Sequence, residues 1–307
     1  MKTLACVGSA VLDRIFNVGD LPGCSGKFVA TGYTEVGGGP AATAAVAVAR
    51  LGWPVDLIAP VGDDPGAVAI IDELAGYGVG TAFVRRIPGG ASSTSAILVD
   101  RAGERMIVNY RHPAVDAQIE WLGEVDFSGF AGVLADVRWP RGSESALAAA
   151  RRAGVPTVLD ADTCPDDISP LARLADHIVF SQPGLARFTG EHGVERGLRA
   201  AADVVEGHVY VTAGREGGYW LERSKLGHLK AFQVDVADTT GAGDVFHGAF
   251  LVALAEGLTG EAAMRFASAA AALKCTRPGG RLGIPSRSQL ETFLRENDAR
   301  DRSLEAG

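Results

Sequence analysis

Apolar residues along this chain follow two rhythms. Short, continuously apolar runs such as Leu4-Ala5-Cys6-Val7 have the pattern of strands covered on both faces. They predict strands at 3–9, 55–61, 131–137, 156–160, 177–181 and 208–213. Between them, apolar positions recur at helical spacing. They predict helices at about 40–51, 65–76, 143–153, 194–204, 242–256 and 260–273. The first of these helices has Pro40 near its start and Gly52 just past its end, the usual placement for both residues. Strands separated by helices imply βαβ units and a largely parallel sheet. In such sheets ligands bind beyond the carboxyl ends of the strands.

Two segments depart from this alternation. In residues 12–36, polar and apolar positions mix in Arg14-Ile15-Phe16-Asn17-Val18 and in Lys27-Phe28-Val29-Ala30, with Pro22, Gly23 and Gly26 between them. In residues 92–110, Ser95–Val99 and Arg105–Asn109 flank the turn sequence Asp100-Arg101-Ala102-Gly103-Glu104. Both read as exposed strands joined by turns, and together they predict a small sheet apart from the main body. The core is then 1–11, 37–91 and 111–296, the small sheet 12–36 and 92–110, and 297–307 a charged, frayed tail. No internal repeat is evident.

Composition narrows the function. The net charge of −8 argues against a protein that coats nucleic acid. No apolar run approaches the ~20 residues a membrane span needs. The N-terminus reads as a strand rather than a signal peptide. Cys6, Cys24, Cys164 and Cys275 are scattered and form no Cys-x-x-Cys pair, so neither a zinc site nor a disulfide framework is expected, and a cytoplasmic setting fits. The six histidines show no metal-ligand spacing. Gly26-Lys27 is not a P-loop, because Leu21 stands where its first glycine belongs and Phe28 follows the lysine. His247 and Trp139 are read as packing residues.

The chemistry concentrates at Asp238-Thr239-Thr240-Gly241-Ala242-Gly243-Asp244, which runs straight into a helix. Glycines at a helix start let the backbone approach a ligand, and the free amides of the first turn face an anion. A carboxylate at the edge of a phosphate pocket is what phosphoryl transfer to an alcohol requires. The helix dipole is expected to hold that carboxylate below its ordinary pKa. On spacing alone, Asp244 also fits a helix-capping acid in a glycine turn.

The whole heptapeptide followed by Phe246 resembles the C-terminal signature of the ribokinase/PfkB carbohydrate kinases. Gly37-Gly38-Gly39-Pro40-Ala41-Ala42-Thr43-Ala44-Ala45 resembles their N-terminal signature, and Val211–Gly217 resembles their nucleotide-binding strand and loop. With Asp13, the resemblance spans nearly the entire chain. It implies an α/β, ribokinase-like fold, with a central, mostly parallel sheet flanked by helices and a small β-sheet lid that serves as a homodimer interface. It implies ATP and Mg2+, with a monovalent cation possible. It makes Asp244 the base and Gly241, Ala242 and Gly243 the anion hole. Asp13, Gly38 and Gly39 hold the sugar, and Thr212, Gly214 and Gly217 line the ATP site. Two positions depart: Thr43 stands where many members have Asn, and Ser181-Gln182-Pro183-Gly184 replaces the family's Asn-x-x-Glu, which leaves metal ligands unassigned.

Within the family, Tyr33–Ala45, Ala135–Trp139 and Ala272–Arg281 resemble the kinases of 6-deoxy-6-sulfofructose. That likeness implies an anionic sugar whose sulfonate is gripped by Lys27, Asn109 and Arg138. A planar fork, a point charge and a neutral donor suit a tetrahedral acceptor. Singly, each of the three also reads as an ordinary surface, strand-edge or loop residue. A kinase of another sugar and a catalytically silent sensor are the competing readings.

Overall fold

The computed structural model describes residues 2–222 and 224–305. Its strands are β1 (Thr3–Val7), β2 (Val11–Asn17), β3 (Gly32–Gly38), β4 (Val55–Gly62), β5 (Val84–Ile87), β6 (Thr94–Val99), β7 (Arg105–Tyr110), β8 (Phe130–Asp136), β9 (Thr157–Ala161), β10 (His177–Ser181), β11 (His208–Thr212), β12 (Gly218–Glu222) and β13 (Lys225–Leu229). They form two sheets among the described residues. The larger has nine strands in the order β13-β12-β11-β10-β9-β8-β1-β4-β5. It is parallel from β5 to β11 and turns antiparallel only at β12 and β13.

Strand β1 shows why a continuous apolar run becomes a central strand. Leu4 and Cys6 point into one core with the helices Pro40–Arg50, Ala242–Ala255 and Gly260–Cys275. Ala5 and Val7 point into the other, with the helix Pro140–Arg152. All four are fully buried, because strand side chains alternate between two covered faces. The helices of the first core pack at very short range. A Cβ on Gly248 would stand 2.5 Å from the Ala44 carbonyl oxygen.

The smaller sheet has the order β3-β2-β6-β7, and its strands come from the two segments that broke the helix–strand alternation. Asp13 pairs with Val36 and Ser95, and Ser95 with Asn109, which puts Asp13 and Asn109 in one cross-strand row. Two expectations are corrected. Lys27–Ala30 is not a strand but part of the irregular stretch between β2 and β3, because the glycines of 19–26 break the ladder. The C-terminal segment is not a frayed coil, since the helix Arg287–Glu305 carries it to the end of the described chain. Among the described residues, no helix is long and apolar enough to cross a membrane.

Candidate active site

The turn Thr239–Asp244 stands between two cavities, and its residues divide between them. Thr240, Gly241 and Asp244 line one, together with Asp13, Gly38, Gly39 and Thr43. Thr239, Ala242 and Gly243 line the other, together with Thr212, Gly214 and Gly217. Ten of the expected site residues are therefore gathered around one turn, six of them in the two groups that flank it.

Local conformation explains the turn. Gly241 caps the helix Ala242–Ala255 with φ of 74°, a left-handed backbone that glycine adopts without strain. Having no side chain, it leaves the amides of the first helical turn to an incoming anion. The Ala242 amide also donates to the Thr239 carbonyl at 3.1 Å and closes the turn. Ahead of it, Asp238 accepts from the Thr240 amide at 2.9 Å and the Thr240 hydroxyl at 2.7 Å. These bonds, with charge from Lys274, hold the Asp238 carboxyl far below the usual carboxylate range.

Asp244 behaves differently from the expectation drawn from the helix dipole. Its pKa is raised to about 7 by desolvation, then by the nearby Asp160 and Asp136 carboxyls, against the opposing pull of His247 and Arg281. Burial among acids outweighs the helix terminus here. Asp160 itself is buried and raised well above its ordinary value. It faces His247 Nδ1 at 3.4 Å, and burial lowers the pKa of that histidine. Trp139 is a packing residue as expected, stacked on Trp121 and donating its indole N–H to the Asp116 carbonyl.

The wall of the cavity at Asp13 is built on close approaches. A Cβ on Gly38 would lie 2.2 Å from an Asp13 carboxyl oxygen, so glycine is what lets that carboxylate reach the cavity. Asp136 accepts the Ser9, Ala41 and Arg138 amides and ties the ends of β1 and β8 to the start of the helix Pro40–Arg50. Arg281, which sequence reasoning gave no role, is almost wholly buried at this wall. Its guanidinium donates to the Gly38 carbonyl at 2.7 Å and the Thr43 hydroxyl at 3.3 Å, and it lies 3.4 Å from Glu73. Arg105 of β7 lines the same cavity and pairs with Asp238 at 3.0 Å.

Lys27, Asn109 and Arg138 line neither cavity. Asn109 does share a face of β7 with Arg105 and Ile107, which do. Arg138 is paired with Asp162 at 2.8 Å, and Ser181 also donates to that carboxylate while capping the helix Gln182–Thr189. The departure at 181–184 is thus a helix cap. Among the described residues no group of three or more His, Cys, Asp or Glu side chains is placed to hold a metal.

The pfkB family carbohydrate kinase profile matches residues 1–287, and this chain belongs to that family. The ribokinase of Bacillus subtilis (strain 168) is 30% identical over 96% of this chain and 100% of its own length. The crystal structure of a "putative ribokinase" from Agrobacterium tumefaciens is 39% identical with a TM-score of 0.90, covering 96% of this chain and 98% of that one. Arabidopsis thaliana ribokinase complexed with ribose and ATP superimposes with a TM-score of 0.85 at 26% identity, covering 95% and 98%. The protein is accordingly a ribokinase-like carbohydrate kinase.

Proposed function

We propose that this kinase transfers the γ-phosphate of ATP to O1 of 6-deoxy-6-sulfofructose, with Asp244 taking the hydroxyl proton. The observation that carries the phosphoryl transfer is the division of one helix-starting turn between two cavities, with Asp244 on the sugar side and Gly243 on the other. ATP fills the cavity at Thr212, Gly214 and Gly217. Asp13, Gly38 and Gly39 orient the sugar, and the first-turn amides stabilise the transferred group. Magnesium supplies charge neutralisation on the phosphates. Such an ion arrives on the nucleotide and keeps most of its water.

The choice of sugar rests on the three sequence stretches that resemble sulfofructose kinases. Arg105 and Arg281 line the sugar cavity beside Asp13, Asp238 and Asp244, and these two arginines are the cations within reach of an anionic substituent there. Asn109 stands on the same strand face as Arg105. In this reading Arg138 exchanges Asp162 for the sulfonate. That pair is one-third exposed, and such pairs contribute only about 0–1 kcal/mol, so the exchange costs little. Lys27 comes from the loop beside the small sheet, which acts as a lid. The outer face of that sheet, with Met106, Val108 and Tyr110 exposed, joins two copies into a homodimer working in the cytoplasm. The 30% identity to a ribokinase favours a second reading, a kinase of a neutral pentose or ketose.

A coupled ADP-release assay over sulfofructose, fructose, fructose 6-phosphate and ribose separates the two. An uncharged sugar leaves the anion-binding donors unpaired, a loss on the order of 2–5 kcal/mol, or roughly 30- to several-thousand-fold in kcat/KM. Sulfofructose is expected to lead, fructose to be very poor, and Arg138→Ala to erase the difference. Equal rates on fructose and sulfofructose, or equal damage to both by Arg138→Ala, leave only the generic sugar kinase.

A further inference from the structure

Lys274 closes the helix Gly260–Cys275, where a lysine would ordinarily run its stem along the surface and leave its ammonium in water. Here the side chain has no exposure at all. The ammonium donates to the Asp238 carbonyl at 2.8 Å and lies 3.3 Å from Asp238 Oδ2. Burial depresses its pKa and the Asp238 charge opposes that pull. An ammonium stripped of water stays charged only with such partners, so its placement is costly unless it serves the segment it grips.

That segment is the approach to the anion-binding turn. The Ala237 and Asp238 amides both donate to the Cys275 carbonyl, at 2.8 and 3.1 Å. The other contacts of Asp238 spread outward. Its carboxylate takes the Thr240 amide and hydroxyl on one oxygen, along with Arg105 of the small sheet. On the other oxygen it takes the Gly279 and Gly280 amides, each at 3.2 Å. Lys274 therefore sits behind a hub that fixes the backbone three and four residues before Gly241. A carbonyl and a carboxylate around one compact positive charge are also the ligands a dissolved potassium or ammonium ion would take.

We propose that Lys274 is a tethered cation that positions the anion-binding turn, so that this kinase needs no dissolved monovalent cation at that place. The proposal rests on the carbohydrate kinase activity and not on which sugar is used, so it stands if the sulfofructose reading fails. The ammonium is a positioning group: it touches neither sugar nor nucleotide and acts through Asp238.

The test uses the full chain with the fastest sugar of the panel. Wild type is assayed at constant ionic strength in tetramethylammonium chloride, with and without potassium chloride, and its rate should change by less than about 2-fold. Lys274→Ala should lose at least ~10-fold in kcat, with a smaller change in sugar KM, and potassium or methylammonium chloride should restore part of that loss. Activation of wild type by potassium of about 10-fold or more overturns the proposal. So does Lys274→Ala at full kcat, or a loss in a folded variant that neither cation relieves, since that would mark a merely structural residue. If Lys274→Ala does not fold, the wild-type comparison decides alone.

Discussion

Asp244 combines two properties that pull against each other. A carboxyl held to about pH 7 is a stronger base than an ordinary aspartate, yet near neutrality much of it is protonated and idle. The expected consequence is a kcat/KM that rises with pH through about 7 as the base is released, read from a pH–rate profile of the free enzyme. A flat profile from pH 5.5 to 8.5, about a unit and a half either side of that value, would assign the proton elsewhere. Asp244→Asn should lower kcat at least ~100-fold, while nucleotide binding, measured by calorimetry, changes far less because the amides remain. The same variant reports on stability. The folded carboxyl keeps its proton up to about pH 7, whereas its ordinary value is 3.8. Folding therefore takes up a proton between those limits, and the wild-type side chain costs stability above pH 7, a cost that fades as pH falls toward 4. Asn carries no such cost. The melting temperature of Asp244→Asn should exceed that of wild type at pH 8, and the gap should shrink toward pH 5. Asp244 and the glycines before it were legible in the sequence because they are contiguous and share one turn. Arg281 and Lys274 were not, because their partners Gly38 and Asp238 lie far away along the chain, 243 and 36 residues off, and nothing local marks either side chain as turned inward.

Among elements, the buried ones were read well and the edges poorly. Strand β10 and the helix Pro65–Gly76 fall where the apolar pattern put them. Strands β5, β12 and β13 went unread, since each lies at or next to an edge and half of β5 and all of β13 are not buried, which blurs the period. Lys27–Ala30 was read as a strand on its mix of polar and apolar residues, but no neighbour pairs with it. Helix packing yields a prediction of its own. The helix Ala242–Ala255 begins at the turn between the two cavities and meets the helix Pro40–Arg50 at Gly248, where an added methyl would run into the Ala44 backbone. Gly248→Ala should therefore destabilise the protein by about 1–3 kcal/mol in denaturant unfolding, more than a surface change would. Because the strain lies next to the turn, kcat should fall as well.

For the whole molecule, the two faces of the small sheet differ in kind. The inner face carries Asp13, Arg105 and Ile107 toward the cavity, while the outer face shows Met106, Val108 and Tyr110 to solvent. An apolar outer face on a four-stranded sheet calls for a cover. In the homodimer reading, Val108→Asp would bury a charge at the interface and should convert the protein to a monomer by size-exclusion chromatography with light scattering. An unchanged mass would dismiss this sheet as the contact.

The wall between the two cavities is only one turn of backbone thick, because Thr240 and Gly241 face one side and Ala242 and Gly243 the other. A single inhibitor with the enzyme's sugar at one end of an oligophosphate and adenosine at the other would fill both cavities at once. Once either end is bound, the tether holds the other at millimolar effective concentration, and the joined compound should bind about 10²–10⁴ times tighter than either half. Such a compound would also be selective. Other ATP-using enzymes lack the sugar cavity, sugar-binding proteins lack the nucleotide one, and only an enzyme that keeps both a turn apart matches the length of the tether.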